Sequence, residues 1–213
     1  GTDTGGSIRQ PASLCGIIGL KPTYGRVSRN GCIAYASSFD QIGPMTNTVE
    51  DAALILEVIA GADENDATTS SQSVPQYSRK LNFSGQKKIA CLQDCLEHNG
   101  LDPEIKNRIR EIGSTLKKEG HIVEDVQFPF LDFLVPAYYV LTTAEASSNL
   151  ARYDGIHYGH RSEQADGLEP TYLKSRTEGF GPEVKRRIML GTFVLSAGYF
   201  DAYYSKAQKV RGI

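Results

Sequence analysis

One stretch of the chain alternates between strand and helix signals in a way that permits few topologies. Lys88–Leu92, with the sequence KIACL, is predicted to form a strand, and residues 121–128, HIVEDVQF, a second one. Between them, Asp102 and Pro103 mark the start of a helix that has apolar residues at helical spacing and stops at Gly120. A strand, a crossover helix and a second strand of this length form a parallel pair with a right-handed connection. The segment therefore predicts an α/β fold.

The part of the chain before this segment has a different character. Residues 1–47 are rich in Gly, Ser and Pro and are expected to form loops and short buried strands. A helix is predicted over TVEDAALILEVIAG, where Thr48 is a typical N-cap. Gly61 is expected to close this helix in the left-handed conformation.

The part after it is predicted to be mostly helical. Residues 135–155 and 181–211 contain many good helix formers, and the second stretch is expected to be one or two helices broken near Gly191. Residues 158–170, YGHRSEQADGLEP, are polar and are predicted to form a loop between the two helical stretches.

Composition and charge argue against two classes of function. The 213 residues are 40% hydrophobic, which is enough for one sizeable core. The 23 Lys and Arg against 25 Asp and Glu leave a net charge of −2, so no global positive field attracts the phosphates of nucleic acid. No stretch approaches the roughly 20 apolar residues that a membrane span needs. Direct nucleic-acid binding and a membrane-spanning segment are therefore not expected.

Metal-binding patterns are incomplete. The chain has four cysteines, at Cys15, Cys32, Cys91 and Cys95. Their spacing forms no regular framework, so reduced thiols are expected. CLQDC could be half of a metal site, but no second pair or suitably spaced histidine completes it. His157 and His160 lie in a polar stretch without a carboxylate or thiol at a matching interval, and they are expected at the surface.

The chain begins with GTDTGGSIRQPA, a glycine-rich run around a single serine, Ser7. A serine nucleophile needs a base to take its proton, and acyl transfer needs donors for the oxygen that becomes negative. Gly5 and Gly6 let several amides point at one spot, but no histidine context and no GxSxG elbow supplies a base. The run matches neither common phosphate-binding pattern. These residues alone leave open a nucleophile, an anion cradle and a plain turn in which Ser7 caps an amide.

Two long stretches carry a family resemblance. GTDTGGSIRQPASLCGIIGLKPTYGRVSRNG and SSFDQIGPMTNTVEDAALILEVIAG together resemble the second half of the amidase signature region, within residues 1–61. The family consists of serine hydrolases that cleave amide bonds with a Ser, cis-Ser and Lys triad. The resemblance implies an α/β fold in which a mixed β-sheet is sandwiched between helices. Residues 1–213 would be a single partial domain, with residues 86–213 as its α/β and helical substrate-side region.

The resemblance assigns Ser7 the role of the nucleophile that forms the acyl-enzyme. It implies an oxyanion hole made by the backbone amides of four consecutive residues, Thr4, Gly5, Gly6 and Ser7. Asp3 and Arg9 match polar positions beside the nucleophile and are expected to support the loop. The resemblance places the cis-Ser and Lys of the triad upstream of Gly1, and Lys21 is expected to be structural. The chain alone is therefore predicted to be inactive.

The later segments narrow the resemblance to one branch of the family. Residues 135–161 and 175–211 are similar to the A subunits of the glutamyl-tRNA(Gln) and aspartyl-tRNA(Asn) amidotransferases, which are glutaminases. The resemblance implies that Tyr138 and Arg187 bind glutamine, and a planar guanidinium can grip a carboxylate with two hydrogen bonds. Adjacent helical residues point about 100° apart, so only one of Arg186 and Arg187 is expected to face a site.

The same resemblance implies partners. Ammonia from glutamine would pass to a B subunit that uses ATP and Mg²⁺ to amidate misacylated tRNA, while a small C subunit holds the two together. No cofactor or metal is expected in this chain, tRNA is expected to bind mainly through the B subunit, and the expected location is the cytoplasm. Two alternatives are a stand-alone amidohydrolase of the same family and a non-catalytic scaffold or interaction module.

Overall fold

The computed structural model describes residues 1–82 and 84–213, which form two compact units. The first unit contains Gly1–Leu81 and Ala137–Ile213, and the second contains Asn82–Pro136. The single partial domain implied over residues 1–213 stays a prediction, and so do its two parts, residues 1–61 and 86–213. Phe83, between these two parts, lies outside the described residues.

The strands of the described residues form three two-stranded sheets. They are β1 (Thr2–Asp3), β2 (Ile18–Gly19), β3 (Gln41–Ile42), β4 (Met45–Thr46), β5 (Lys88–Leu92) and β6 (Ile122–Val126). Strands β1 and β3 pair antiparallel, as do β2 and β4, whereas β5 and β6 pair parallel. The sheets are therefore small and separate, although parallel and antiparallel pairings both occur.

Helices make up most of the regular structure. They are α1 (Arg9–Cys15), α2 (Val49–Ile59), α3 (Gln93–Leu96), α4 (Pro103–Lys118), α5 (Leu131–Asn149), α6 (Leu168–Gly179), α7 (Pro182–Val194) and α8 (Lys206–Arg211). Short 3₁₀ turns occupy Tyr77–Lys80 and Leu150–Arg152, and a π-helical turn, Phe200–Ser205, precedes α8. The combination of strands and helices confirms the predicted α/β class.

The strand–helix–strand prediction in the second unit is confirmed. Helix α4 begins after Asp102, whose side chain accepts a hydrogen bond from the Glu104 amide at 2.8 Å. The two parallel strands pair in register, with Lys88 opposite Ile122. The isoleucines of α4 remain 37–52% exposed. The spacing of these residues thus predicted the helix correctly, but not the extent of their burial.

Helix α2 has the predicted start and a different end. The Thr48 hydroxyl accepts a hydrogen bond from the Asp51 amide at 3.1 Å, as expected of an N-cap. The predicted left-handed closure at Gly61 is wrong. Ala60 leaves the helix in an extended conformation and pairs with Val27, and Gly61 has a φ of 136°, outside the left-handed helical region. This strand-like pairing replaces the expected cap.

The predicted break in the last helical stretch occurs, but it begins after Val194 and not at Gly191, because α7 runs through this glycine. A Cβ at Gly191 would lie 1.9 Å from the backbone oxygen of Thr143 in α5. The glycine therefore permits two helices to approach closely rather than ending one of them. The chain leaves the helical conformation after Val194, and Gly198 adopts a positive φ of 84°.

Helices α1 and α6 were not predicted. The loop expected at residues 158–170 ends at Gly167, and α6 starts immediately afterwards. Pro170 lies in the first turn of α6, where backbone N–H groups have no helical acceptor, so the proline does not prevent the helix. Likewise, Pro11 lies in the first turn of α1.

Candidate active site

Ser7 lies in the turn that joins β1 to α1. The chain leaves β1 after Asp3 and enters α1 at Arg9. Gly6 has a φ of 126° in this turn, and Ile8 is completely buried. Ser7 itself is exposed, and its hydroxyl has no hydrogen-bond partner within the described part of the chain. The buried Ile8 therefore anchors a turn that presents the serine to solvent.

The carboxylate of Asp3 organises this turn. Its two oxygens accept hydrogen bonds from the amides of Gly6 at 2.7 Å and Ile8 at 3.3 Å. Arg9 adds two more, from Nε at 3.0 Å and from Nη2 at 3.2 Å. Burial raises the pKa of Asp3, but the hydrogen bonds from Arg9, Gly6 and Ile8 outweigh it and hold the pKa below its ordinary value. These contacts agree with the supporting role expected of Asp3 and Arg9.

The predicted oxyanion donors differ in their availability. The Gly6 amide already donates to Asp3, whereas the amides of Thr4, Gly5 and Ser7 donate to no acceptor among residues 1–82 and 84–213. An oxyanion hole needs N–H groups that have no other acceptor and already point toward the oxyanion. Thr4, Gly5 and Ser7 stay predicted donors on this ground, and Gly6 can join them only by releasing Asp3.

A second carboxylate connects this turn to residues 35–40. The Thr4 hydroxyl donates to Oδ1 of Asp40 at 2.5 Å. The other oxygen of Asp40 accepts hydrogen bonds from the amides of Tyr35 at 2.8 Å and Ala36 at 2.9 Å. The predicted oxyanion turn and the loop of residues 35–40 are therefore held together by one side chain.

Helix α5 places Tyr138 against the same turn. A Cβ at Gly5 would lie 2.7 Å from Cε2 of the Tyr138 ring, so the ring packs directly on the glycine backbone. Phe39 makes an edge contact with this ring, with 6.1 Å between the ring centroids. Burial raises the pKa of Tyr138, and the nearby charge of Arg187 opposes this rise. The predicted substrate residue thus lies next to the predicted oxyanion donors.

Helix α7 supplies Arg187. Its Nη1 donates to the Tyr35 hydroxyl at 2.8 Å and its Nε to Glu183 at 2.9 Å. The Arg187 side chain is 30% exposed, whereas that of Arg186 is 68% exposed and pairs with Glu183. The structure therefore turns only Arg187 inward, as the helical geometry of adjacent residues requires.

Lys21 has contacts of a structural kind. Its Nζ donates to the backbone oxygen of Pro22 at 2.8 Å and to the side-chain oxygen of Gln41 at 3.1 Å. These hydrogen bonds tie the residue to its own segment and to β3. The contacts support the expectation that Lys21 is structural.

The histidines and cysteines form no metal cluster in the described residues. His157 is 67% exposed and hydrogen bonds Asp154, while His160 is 50% exposed and hydrogen bonds Glu178. All four cysteines are free thiols. No three His, Cys, Asp or Glu side chains of residues 1–82 and 84–213 lie together as metal ligands. Within the same residues, no helix combines the length and apolar character of a membrane span.

Three residues that connect the site were missed from sequence. Tyr35, Asp40 and Thr142 lie at positions without a local motif, and no short-range signal marks them. The contacts of Tyr35 with Thr142 and Arg187 join positions 107 and 152 residues apart. Only the fold brings these side chains together.

Comparisons with known proteins show which family this chain resembles in sequence and in structure. The sequence model of the amidase family matches residues 1–213. The A subunit of a glutamyl-tRNA(Gln) amidotransferase from Ruthia magnifica subsp. Calyptogena magnifica is 56% identical over 211 residues, or 99% of this chain and 44% of the relative. The chain thus spans less than half the length of this curated relative.

Solved structures are similar over nearly the whole chain. The crystal structure of the A subunit of a glutamyl-tRNA(Gln) amidotransferase from Thermotoga maritima has a TM-score of 0.68 and 44% identity, covering 99% of this chain and 41% of that chain. A native peptide amidase from Stenotrophomonas maltophilia has a TM-score of 0.70 and 30% identity, covering 98% and 43% respectively. The predicted fold is therefore confirmed at the level of the family.

Proposed function

Because the chain belongs to the amidase family, we propose that it acts in the glutaminase subunit of a tRNA-dependent amidotransferase. The single observation that carries the proposal is its 56% identity, over 99% of its length, to a protein named as the A subunit of such an enzyme. The peptide amidase is less similar, at 30% identity, and supports the shared fold rather than a stand-alone amidohydrolase.

In the proposed reaction, the Ser7 hydroxyl oxygen attacks the side-chain amide carbon of glutamine. The carbon–oxygen bond of an ester forms, the carbon–nitrogen bond breaks, and the serine proton leaves on ammonia. Water then hydrolyses the ester to release glutamate. The amides of Thr4, Gly5 and Ser7 would stabilise the negative oxygen of both tetrahedral intermediates.

The proton of Ser7 requires a relay. Neither a histidine nor a lysine hydrogen bonds Ser7 in the described part of the chain. This chain spans 44% of the length of its curated relative. We propose that the cis-Ser and Lys of the family's triad belong to the part of the full-length protein that this chain does not span.

Substrate recognition would involve the two residues beside the turn. Arg187 would pair with the α-carboxylate of glutamine, and the Tyr138 ring would pack along the substrate next to Gly5. Partner B and C subunits would complete the enzyme in the cytoplasm. ATP and Mg²⁺ would act in the B subunit, which would also be the main contact for tRNA.

The test is glutamine hydrolysis by the full-length glutaminase in complex with its partners. Replacing Ser7 by Ala is expected to reduce the rate of glutamate release by about 10⁴-fold or more, because the nucleophile is lost while binding remains. Ser13→Ala is the matched control, since Ser13 is an exposed serine of α1 whose hydroxyl, within the described residues, donates to the Gln10 backbone oxygen alone. Full activity in Ser7→Ala would refute the proposal.

A further inference from the structure

We propose that Tyr35 is a positioning residue that orients Arg187 toward the α-carboxylate of glutamine. The inference rests on the proposed function and deepens it. Tyr35 touches neither the reacting amide nor the nucleophile in this assignment. Its role would be to hold the guanidinium that recognises the other end of the substrate.

A directional series of hydrogen bonds carries the inference. Arg187 Nη1 donates to the Tyr35 hydroxyl at 2.8 Å, and that hydroxyl donates to Oγ1 of Thr142 at 3.2 Å. Thr142 Oγ1 donates in turn to the backbone oxygen of Tyr138 at 2.8 Å. The series therefore joins the two predicted substrate residues, which lie on different helices, through one phenol.

The same contacts leave part of the Arg187 guanidinium available. Its Nε is occupied by Glu183 and one hydrogen of Nη1 by Tyr35. Nη2 has no acceptor in the described part of the chain, and Nη1 keeps its second hydrogen. A carboxylate can therefore accept a charge-assisted hydrogen bond from Nη2, and the second hydrogen of Nη1 is a further donor. The guanidinium carbon lies 5.3 Å from the centroid of the Tyr35 ring, and this cation–π contact restricts the guanidinium further.

The backbone of Tyr35 connects Arg187 to the predicted oxyanion turn. Its amide donates to Asp40, which also accepts from the Thr4 hydroxyl. One loop thus holds both the arginine for the carboxylate and a predicted donor for the scissile carbonyl. Such a connection would fix the distance between the groups that bind the two ends of the substrate. A fixed distance lets a site favour glutamine over asparagine, whose side chain is one methylene shorter.

The test compares Tyr35→Phe with the unaltered glutaminase in its complex. The phenylalanine keeps the ring and removes only the hydroxyl that accepts from Arg187. We expect the KM for glutamine to rise about tenfold with kcat changed by less than about twofold, because a hydrogen bond to a charged group is lost. Tyr139→Phe is the matched control, since the Tyr139 hydroxyl has no hydrogen-bond partner among the described residues.

A second substrate separates positioning from a general structural effect. 4-Aminobutanamide is glutamine without its α-carboxylate, and ammonia release from it reports kcat/KM. Tyr35→Phe is expected to leave this value within about twofold of the unaltered protein. An unchanged KM for glutamine, or an equal loss with both substrates, would overturn the inference.

Two further measurements keep the outcomes distinct. If thermal unfolding shows that Tyr35→Phe is not folded, Thr142→Val is tested instead. This variant removes the acceptor of the Tyr35 hydroxyl at nearly constant volume, and we expect the KM for glutamine to rise about threefold. An unchanged KM in that variant would overturn the inference. If glutamine hydrolysis does not depend on Ser7, the proposed function fails and this inference fails with it. If it depends on Ser7 but Tyr35→Phe behaves like Tyr139→Phe, only this inference fails.

Discussion

Asp3 shows how much of the candidate site depends on a single carboxylate. It is 1% exposed and accepts hydrogen bonds from the amides of Gly6 and Ile8 and from Arg9. Two backbone amides and the Arg9 side chain therefore converge on this carboxylate within one short segment, and Ser7, which lies between the two amides, is exposed. Loop geometry here is thus a consequence of charge and hydrogen bonding rather than of glycine content alone.

Asp3→Asn is expected to lower the free energy of unfolding by about 3 kcal/mol at pH 7. The variant loses the charge pair with Arg9 and places an amide NH₂ among groups that donate hydrogen bonds. Urea-induced unfolding measures the change. Asp166→Asn is the matched control, because Asp166 is exposed and has no partner in the described part of the chain. Equal stability of the two variants would contradict the role given to Asp3.

The same carboxylate predicts part of the acid dependence of stability. The pKa of Asp3 lies below its ordinary value in the folded chain, so its contribution is fully present above the unfolded pKa of about 3.9. That contribution is lost as the pH falls through the lower folded pKa. Between pH 5 and 2, the urea-unfolding curve of Asp3→Asn should therefore depend less on pH than that of the unaltered chain.

Helices α5 and α7 carry the two predicted substrate residues, and the packing of these helices depends on one glycine. Gly191 lies one helical turn after Arg187, on the same face of α7, and it faces the backbone of Thr143. Thr143 in turn lies next to Thr142, which takes part in the hydrogen-bond series of Tyr35. The close approach of α5 and α7 at Gly191 therefore also affects the hydrogen bonds that orient Arg187.

Gly191→Ala is expected to destabilise the chain by about 2–3 kcal/mol and lower its Tm. The added Cβ would lie 1.9 Å from the Thr143 oxygen and 2.8 Å from the Ser147 Cβ, so the helices would have to separate. Gly113→Ala is the matched control within α4. There the nearest atom, Cγ1 of Val123, is 3.8 Å from the added Cβ, and better helix propensity should raise stability by about 1 kcal/mol.

Thermal unfolding of the two alanine variants decides between two roles of Gly191. If the glycine only weakened its helix, both variants would be more stable than the unaltered chain. Opposite signs are expected, because a Cβ at Gly191 would overlap a backbone carbonyl, whereas a Cβ at Gly113 would make an ordinary van der Waals contact with Val123.

The chain as a whole spans 44% of the length of a curated relative that it matches along nearly all of its own length. The nucleophile turn, Tyr138 and Arg187 belong to one of its two compact units, which contains Gly1–Leu81 and Ala137–Ile213. This unit holds the groups that we predict for attack, for oxyanion binding and for substrate recognition. It does not show a base hydrogen bonded to Ser7 in the described residues.

The purified chain of residues 1–213 is therefore expected to release no ammonia from glutamine above the level of its Ser7→Ala variant. Loss of any member of a coupled triad removes nearly all catalysis, even when the oxyanion donors remain. A coupled ammonia assay measures both proteins under the same conditions. Turnover that the Ser7→Ala change abolishes would show that the proton relay lies within these residues.

Short-range sequence patterns were enough to predict three features: the strand–helix–strand segment, the caps at Thr48 and Asp102, and the glycine turn at Ser7. Each of these follows from interactions between residues close in sequence, such as periodic apolar positions and side chains that bond nearby amides. Family resemblance supplied the roles of Ser7, Tyr138 and Arg187, which those local patterns could not assign.

The fold revealed what local patterns could not show. The role of Gly191 depends on a backbone 48 positions earlier, and the contacts of Tyr35 join residues 107 and 152 positions apart. Such contacts exist only after the helices have packed, because neither partner has a short-range interaction that would identify it. Sequence thus predicted the chemical groups, and tertiary packing determined which of them meet and which nitrogen of Arg187 remains without an acceptor in the described residues.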